Sequence, residues 1–222
     1  MRRLAYPITK CLCRCLLGAV GRIRVLHKNR ADRAGGWILA SNHISHFDPP
    51  FFTSVTGRGI DWMAMDDLFK SRVFAAYFRA VNAFPVARFQ GDRTALKVAM
   101  ARLKQGRVVG MFPEGGLRHG ETSVLGGAPL RRGIRAVARV ANAPVIPGVI
   151  LGSDRLYRTT NWIPMRRVGV WIGFGEALDP DLPELELILA DALRRLRDEM
   201  RAHFQLTDAD MPKSPQERMR GA

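Results

Sequence analysis

The stretch WILASNHISHFDPP, residues 37–50, carries the reading of the whole chain. Trp37 to Ser41 form an uninterrupted run of strand length, as expected for a strand buried on both faces. Asp48, Pro49 and Pro50 read as a helix start, with Asp48 as the N-cap and Pro49 at the first helical position. A strand that turns straight into a helix is the repeating unit of an α/β fold, and ligands in such folds gather where strands end. His43 to Asp48 thus occupy one tight turn, which can bring side chains five residues apart face to face.

Outward from this stretch, apolar runs of strand length recur at 23–27, 61–65, 83–88, 108–112, 144–150 and 168–174. Helical patterns fall between them. Over 92–105, Asp92 can cap a helix, Leu96, Ala99, Met100 and Leu103 form its stripe, and Gly106 ends it. Residues 130–141 give a second helix, and 183–204 a third with Leu185, Leu189, Leu196 and Met200 inward. The alternation predicts one α/β domain over 23–206, with a mostly parallel central sheet flanked by helices. Residues 207–222 are polar and read as a flexible tail.

The chain has 222 residues, 47% apolar and 25% charged, enough for one domain with a sizeable core. Its net charge of +15 favours an anionic partner: nucleic acid, an anionic lipid surface or a phosphorylated substrate. Arg supplies all but six of the 35 basic residues, and guanidinium forks suit phosphate, although an Arg-favouring genome gives the same excess. No aromatic stacking motif or recognition helix accompanies the charge, which argues against nucleic acid. Cys11, Cys13 and Cys15 are an odd, clustered set that makes no disulfide framework and fits a reducing compartment.

Residues 1–22 read as an amphipathic helix with Pro7 in its first turn. Ile8, Cys11, Leu12, Cys15, Leu16 and Ala19 share one face, and Lys10 and Arg14 lie opposite. Its uncharged run falls well short of the roughly 20 residues that a spanning helix needs. Two readings stay open: a helix lying on a membrane surface, and an ordinary helix packed on its own domain.

The turn itself admits three readings. His43, His46 and Asp48 could ligate a metal, with His119 the one outside helper in the sequence. Asp48 could be a cap and the histidines plain loop residues. Or His43 and Asp48 could form an acid–base dyad, the carboxylate accepting from one ring nitrogen and leaving the other to take a proton. No G-x-S-x-G elbow supplies a nucleophile, so a dyad implies that the substrate brings the hydroxyl.

Four segments together resemble the lysophosphatidic acid acyltransferase family (1-acylglycerol-3-phosphate and related glycerolipid acyltransferases). NHISHFD, residues 42–48, matches the N-H-x4-D block. AFPVAR, residues 83–88, resembles the second block, which ends in an arginine. FPEG, residues 112–115, is the third block, and VIPGVI, residues 145–150, resembles the fourth. The resemblance covers about residues 36 to 151 and selects His43 over His46, because His43 has the right spacing to Asp48.

The resemblance implies transfer of an acyl chain from a thioester of coenzyme A or acyl carrier protein to a lysophospholipid hydroxyl, most simply lysophosphatidic acid giving phosphatidic acid. Lyso-ornithine lipid and lysophosphatidylglycerol are the alternative acceptors. His43 and Asp48 would be catalytic. Arg88 and Arg118 would hold the acceptor phosphate, Glu114 would order the arginines or bond an acceptor hydroxyl, and Gly115 and Gly116 would allow close backbone approach to an anion. No cofactor or metal is implied. Three departures stand out. Arg118 sits one place later than the family arginine, Met65 stands where relatives often carry lysine, leaving Lys70 or backbone N–H groups for the oxyanion, and Leu130-Arg131-Arg132-Gly133 replaces the family's F-K-x-G. The lipid acceptor, the charge and the N-terminal helix together predict a peripheral protein on the cytoplasmic face of the membrane, docked on anionic lipid.

Overall fold

The structure, a computed structural model, describes residues 2–87, 92–163 and 167–220. Seven strands make one sheet: β1 (Gly21–Leu26), β2 (Trp37–Ser41), β3 (Ile60–Met65), β4 (Phe84–Val86), β5 (Val108–Met111), β6 (Val145–Leu151) and β7 (Val168–Phe174). The order is β1-β7-β6-β2-β5-β3-β4, and every neighbouring pair is parallel except β6 with β7. The expected α/β architecture is thus the observed one. The antiparallel step has a local cause: between β6 and β7 the described residues form short 3-10 turns and no crossover helix, so β7 runs back the other way.

The helices are α1 (Arg2–Val20), α2 (Asp48–Val55), α3 (Arg72–Ala80), α4 (Arg93–Lys104), α5 (Ile134–Ala141), α6 (Leu185–Phe204) and α7 (Pro215–Arg220). Alternation along the strands sorts the core into two layers. Ile38, Val109, Val145 and Val149 face α4, α5 and α6, packing with Ala99, Val137 and Leu193. Trp37, Leu39, Ile146 and Ile150 face the other way, with Leu17 and Val20 of α1 and Phe51 and Phe52 of α2. Both layers of residues are buried, so the central strands read as continuous apolar runs.

Several expectations shift. Asp92 does cap α4, its carboxylate accepting from the Thr94 and Ala95 N–H groups. Residues 130–133 precede α5 rather than belong to it, because Gly133 at φ 128° breaks the helix there. α1 begins at Arg2, with Pro7 inside it. Lys10, on the face of α1 opposite the apolar row, lies against the domain: its ammonium donates to the Thr56 and Gly57 carbonyls (2.6 and 2.9 Å), satisfying acceptors where α2 ends. α3 was not anticipated at all. Residues 207–220, expected as a loose tail, fold back on the domain, where Arg218 Nε pairs with the buried Asp154 at 2.5 Å.

The C-terminal ends of β6, β2 and β5, neighbours at the middle of the sheet, deliver Ser153, His43 and Glu114 to one place. A column of stacked rings supports that place. Trp62 of β3 stacks on Phe112 (5.0 Å between centroids, 8°), and Phe112 stacks on His43 (3.9 Å, 13°). Gly110 of β5 makes room for Trp62: a Cβ there would drive into the indole and the Ile60 side chain. Gly110→Ala is expected to cost about 1–3 kcal/mol by overpacking. A urea unfolding curve checks this, and an unchanged midpoint would mean that the column yields freely.

Candidate active site

Asp48 does not cap its own helix. Its carboxylate turns back onto the loop that delivers it. Oδ2 accepts from His43 Nδ1 (2.8 Å), the Ile44 N–H (2.8 Å) and the Ser45 N–H (2.9 Å), and Oδ1 accepts from the Ser153 hydroxyl (2.5 Å). The helix start can spare it. Pro49 and Pro50 have no N–H to satisfy, the Asp48 N–H reaches the Ser45 carbonyl, and the Phe47 N–H reaches Ser45 Oγ. Asp48 is fully buried, and all its donors come from β2–α2 and from the segment after β6.

Because Asp48 accepts at Nδ1, the proton of a neutral His43 ring belongs there and the lone pair sits on Nε2. Nε2 has no hydrogen-bond partner among the described residues, and His43 is 8% exposed. The ring is therefore fixed at Nδ1, and Nε2 is left free to take a proton.

The segment after β5 laces onto the same turn at three points. Glu114 Oε2 accepts the His43 N–H (2.6 Å), the Arg118 N–H donates to the His43 carbonyl (2.8 Å), and His119 Nε2 donates to the Ile44 carbonyl (2.8 Å). Glu114 Oε1 accepts from the Ser123 hydroxyl and the Val124 N–H, both at 2.7 Å. Burial raises the Glu114 pKa, while the three donors and the nearby His43 ring pull it down. Asn42 joins the third strand end. Its side-chain amide donates to the Ile150 carbonyl (3.0 Å) and accepts the Ile150 N–H (2.9 Å), extending the β2–β6 ladder by a side chain.

The remaining sequence candidates fall as follows. Arg88 lies outside the described residues. Arg118 is half-buried beside His43, and its guanidinium makes no hydrogen bond or ion pair among the described residues. Gly115 has φ 71°, and its Cβ position is filled by the Arg131 side chain, so only glycine fits. Its N–H bonds the Phe112 carbonyl (3.0 Å) and is not available to an anion, whereas the Gly116 N–H has no partner among the described residues. Arg131, the basic replacement noted in the sequence, thus lies directly on the Phe-Pro-Glu-Gly loop, with its N–H on the Pro113 carbonyl (3.0 Å). Lys70 is exposed and paired with Asp67 at 2.5 Å. His46 turns away from the dyad to the Tyr157 hydroxyl (Nδ1, 2.7 Å). No cluster of three or more His, Cys, Asp or Glu is placed to hold a metal among the described residues.

Ser153 is the site residue that sequence reading missed. It lies 105 positions from Asp48, and a lone serine after a strand carries no pattern. The only usable signal was its place directly after the Val-Ile-Pro-Gly-Val-Ile strand, at the same sheet edge as the other two loops.

Comparison with known proteins bears on this arrangement. A family model described as Acyltransferase matches residues 22–151, more than half of the chain. The 1-acyl-sn-glycerol-3-phosphate acyltransferase of Bacillus subtilis (strain 168) is 27% identical over 138 residues, covering 62% of this chain and 66% of the relative. The protein of the same name from Streptococcus pneumoniae (strain ATCC BAA-255 / R6) is 27% identical over 176 residues, covering 78% of this chain and 61% of the relative. The chain thus spans a little under two thirds of the length of both relatives. Among solved structures, the 1-acyl-sn-glycerophosphate (LPA) acyltransferase of Thermotoga maritima superposes with a TM-score of 0.67 at 20% identity, over 90% of this chain and 81% of that one. That likeness is one of fold.

Ser153→Ala leaves Asp48 Oδ1 buried without its donor, and is expected to cost about 1–3 kcal/mol. Chemical denaturation reads this directly; a loss under about 0.5 kcal/mol would mean that water replaces the hydroxyl.

Proposed function

The chain belongs to the acyltransferase family, and we propose that it moves a fatty acyl group from an acyl thioester, of coenzyme A or acyl carrier protein, to the free hydroxyl of a lysophospholipid. The acceptor that best suits its basic site is 1-acylglycerol-3-phosphate, giving phosphatidic acid. The observation that carries this reading is the buried pairing of His43 Nδ1 with Asp48 at 2.8 Å, beside an Nε2 left without a partner among the described residues. The names of the two curated relatives support the choice of acceptor.

The chemistry follows from the ring. An alcohol is a weak nucleophile at neutral pH, so His43 Nε2 takes its proton as the oxygen attacks the thioester carbonyl carbon. Asp48 holds the tautomer and stabilises the imidazolium. The tetrahedral intermediate then collapses, the C–S bond breaks, and the imidazolium returns the proton to the departing thiolate. Atoms and charge balance with no cofactor. Arg118, whose backbone bonds the turn and whose guanidinium is unpaired among the described residues, holds the acceptor phosphate in this reading, with Arg88 its expected companion. The Gly116 N–H is a candidate donor to the oxyanion. Glu114 contributes by position: the protein itself engages both its oxygens.

A lysophospholipid is met at a membrane surface. No described helix is long and apolar enough to cross a membrane. α1 instead turns Leu4, Ile8, Leu12 and Leu16 outward, each more than half exposed, as suits peripheral docking at the cytoplasmic face.

The test is to incubate the purified chain with a labelled acyl thioester and a panel of lyso-lipids. Labelled phosphatidic acid is the expected product, and His43→Ala should lower turnover by about 10²–10⁴-fold. Thioester consumption without a diacyl product, or label on lyso-ornithine lipid or lysophosphatidylglycerol alone, would contradict the acceptor proposed. Turnover that survives in His43→Ala would contradict the base.

A further inference from the structure

α3 is the least buried of the long elements in apolar terms. It buries only Ala75. Val73, Phe74 and Tyr77, spaced to share one helix face, are 77%, 61% and 48% exposed, and Leu68 in the preceding turn is 43% exposed. Scattered apolar side chains on a surface need no explanation, but three large ones together on one helical face do. They are not spare core: Phe78 and Phe69, half-buried, already pack together beneath them at 5.6 Å.

Two further observations say what covers this face. α3 packs beside α1, and both lie on the same side of the sheet, so the outward row of α1 is its neighbour. The surroundings are cationic. Arg72 and Arg79 on α3 and Arg14 on α1 are exposed, while Asp67 is paired with Lys70, leaving Asp66 as the acid of the turn with no ion pair among the described residues. In a chain of net charge +15, a second copy of the same surface would be repelled, whereas an anionic one is attracted.

We propose that α3 and the turn before it form a second bilayer-inserting element, in which Val73, Phe74 and Tyr77 enter an anionic lipid surface while Arg72 and Arg79 contact its headgroups. α3 follows β3, whose carboxyl end lies at the sheet edge that carries His43. Two inserted elements, unlike one, fix the rotation of the domain about α1 and hold that edge toward the lipid. The inference extends the docking proposed above for α1, and vesicle binding tests it without reference to catalysis.

The experiment uses the full chain and vesicles of phosphatidylglycerol mixed with phosphatidylcholine. A Val73→Ser/Phe74→Ser/Tyr77→Ser variant should bind at least tenfold more weakly in sedimentation, with an unchanged circular dichroism spectrum. In a separate chain, Phe74→Trp should shift its fluorescence to the blue on adding vesicles and be quenched by brominated lipid chains. Vesicle binding equal to the parent, or a Phe74→Trp spectrum indifferent to brominated lipid, overturns the proposal. So does loss of acyl carrier protein binding, or of self-association in sedimentation velocity, with vesicle binding intact. Absence of acyl transfer with insertion retained would fault the functional reading and leave the lipid seat standing.

Discussion

A single buried carboxylate organises this protein. Asp48 is cut off from water and would be prohibitively costly there without partners. Four donors stabilise it, three of them from residues 43–45 in its own turn. The turn closes around the charge, and that closure fixes the His43 ring. The fourth donor, Ser153, arrives from the segment after β6 and ties the turn to a neighbouring strand end. Chain connectivity alone would not hold these loops together; the carboxylate does so with the Asn42–Ile150 pair.

Glu114 repeats the device from the other side. Asp48 takes the His43 ring and Glu114 takes its main-chain N–H, so one residue is held at both ends by two buried acids. Phe112 covers one ring face, and Trp62 backs it in turn. The result is a ring whose orientation is set by the fold before any substrate arrives, the condition under which positioning contributes most to rate. It also explains why Phe112-Pro113-Glu114-Gly115 belongs with the histidine turn although no part of it need react. The segment is a strap. Gly115 lets the strap bend where Arg131 lies against it, and the Arg118 and His119 bonds finish the lacing.

Much of this was legible in the sequence, for identifiable reasons. Trp37–Ser41 and Val168–Phe174 are strands buried on the sheet, so their apolar runs end where the strands end. Asp92 bonds only locally, and its capping role could be read from its neighbours. Asp48 looked the same and is not, because its partners are the preceding turn and a serine 105 residues away. The place of Lys10 was equally hidden: its partners, the open carbonyls at the end of α2, lie 46 and 47 residues away. α3 is hidden because Val73 to Phe78 are apolar without interruption, so no polar face sets off a helical stripe. Local pattern reports local partners, and Asp48 and Lys10 are residues whose partners are distant in sequence.

The central claim is that the Asp48 carboxylate, by holding Nδ1–H, makes His43 Nε2 a base toward the acceptor hydroxyl. Its most direct test is the turnover of Asp48→Asn with a labelled acyl thioester and lysophosphatidic acid, alongside the unfolding curve of the same variant. An amide can still occupy the pocket but cannot stabilise an imidazolium or enforce the tautomer, so turnover should fall by about 10⁴-fold in a chain that remains folded. A folded Asp48→Asn protein that transfers acyl groups at the parent rate would contradict the account.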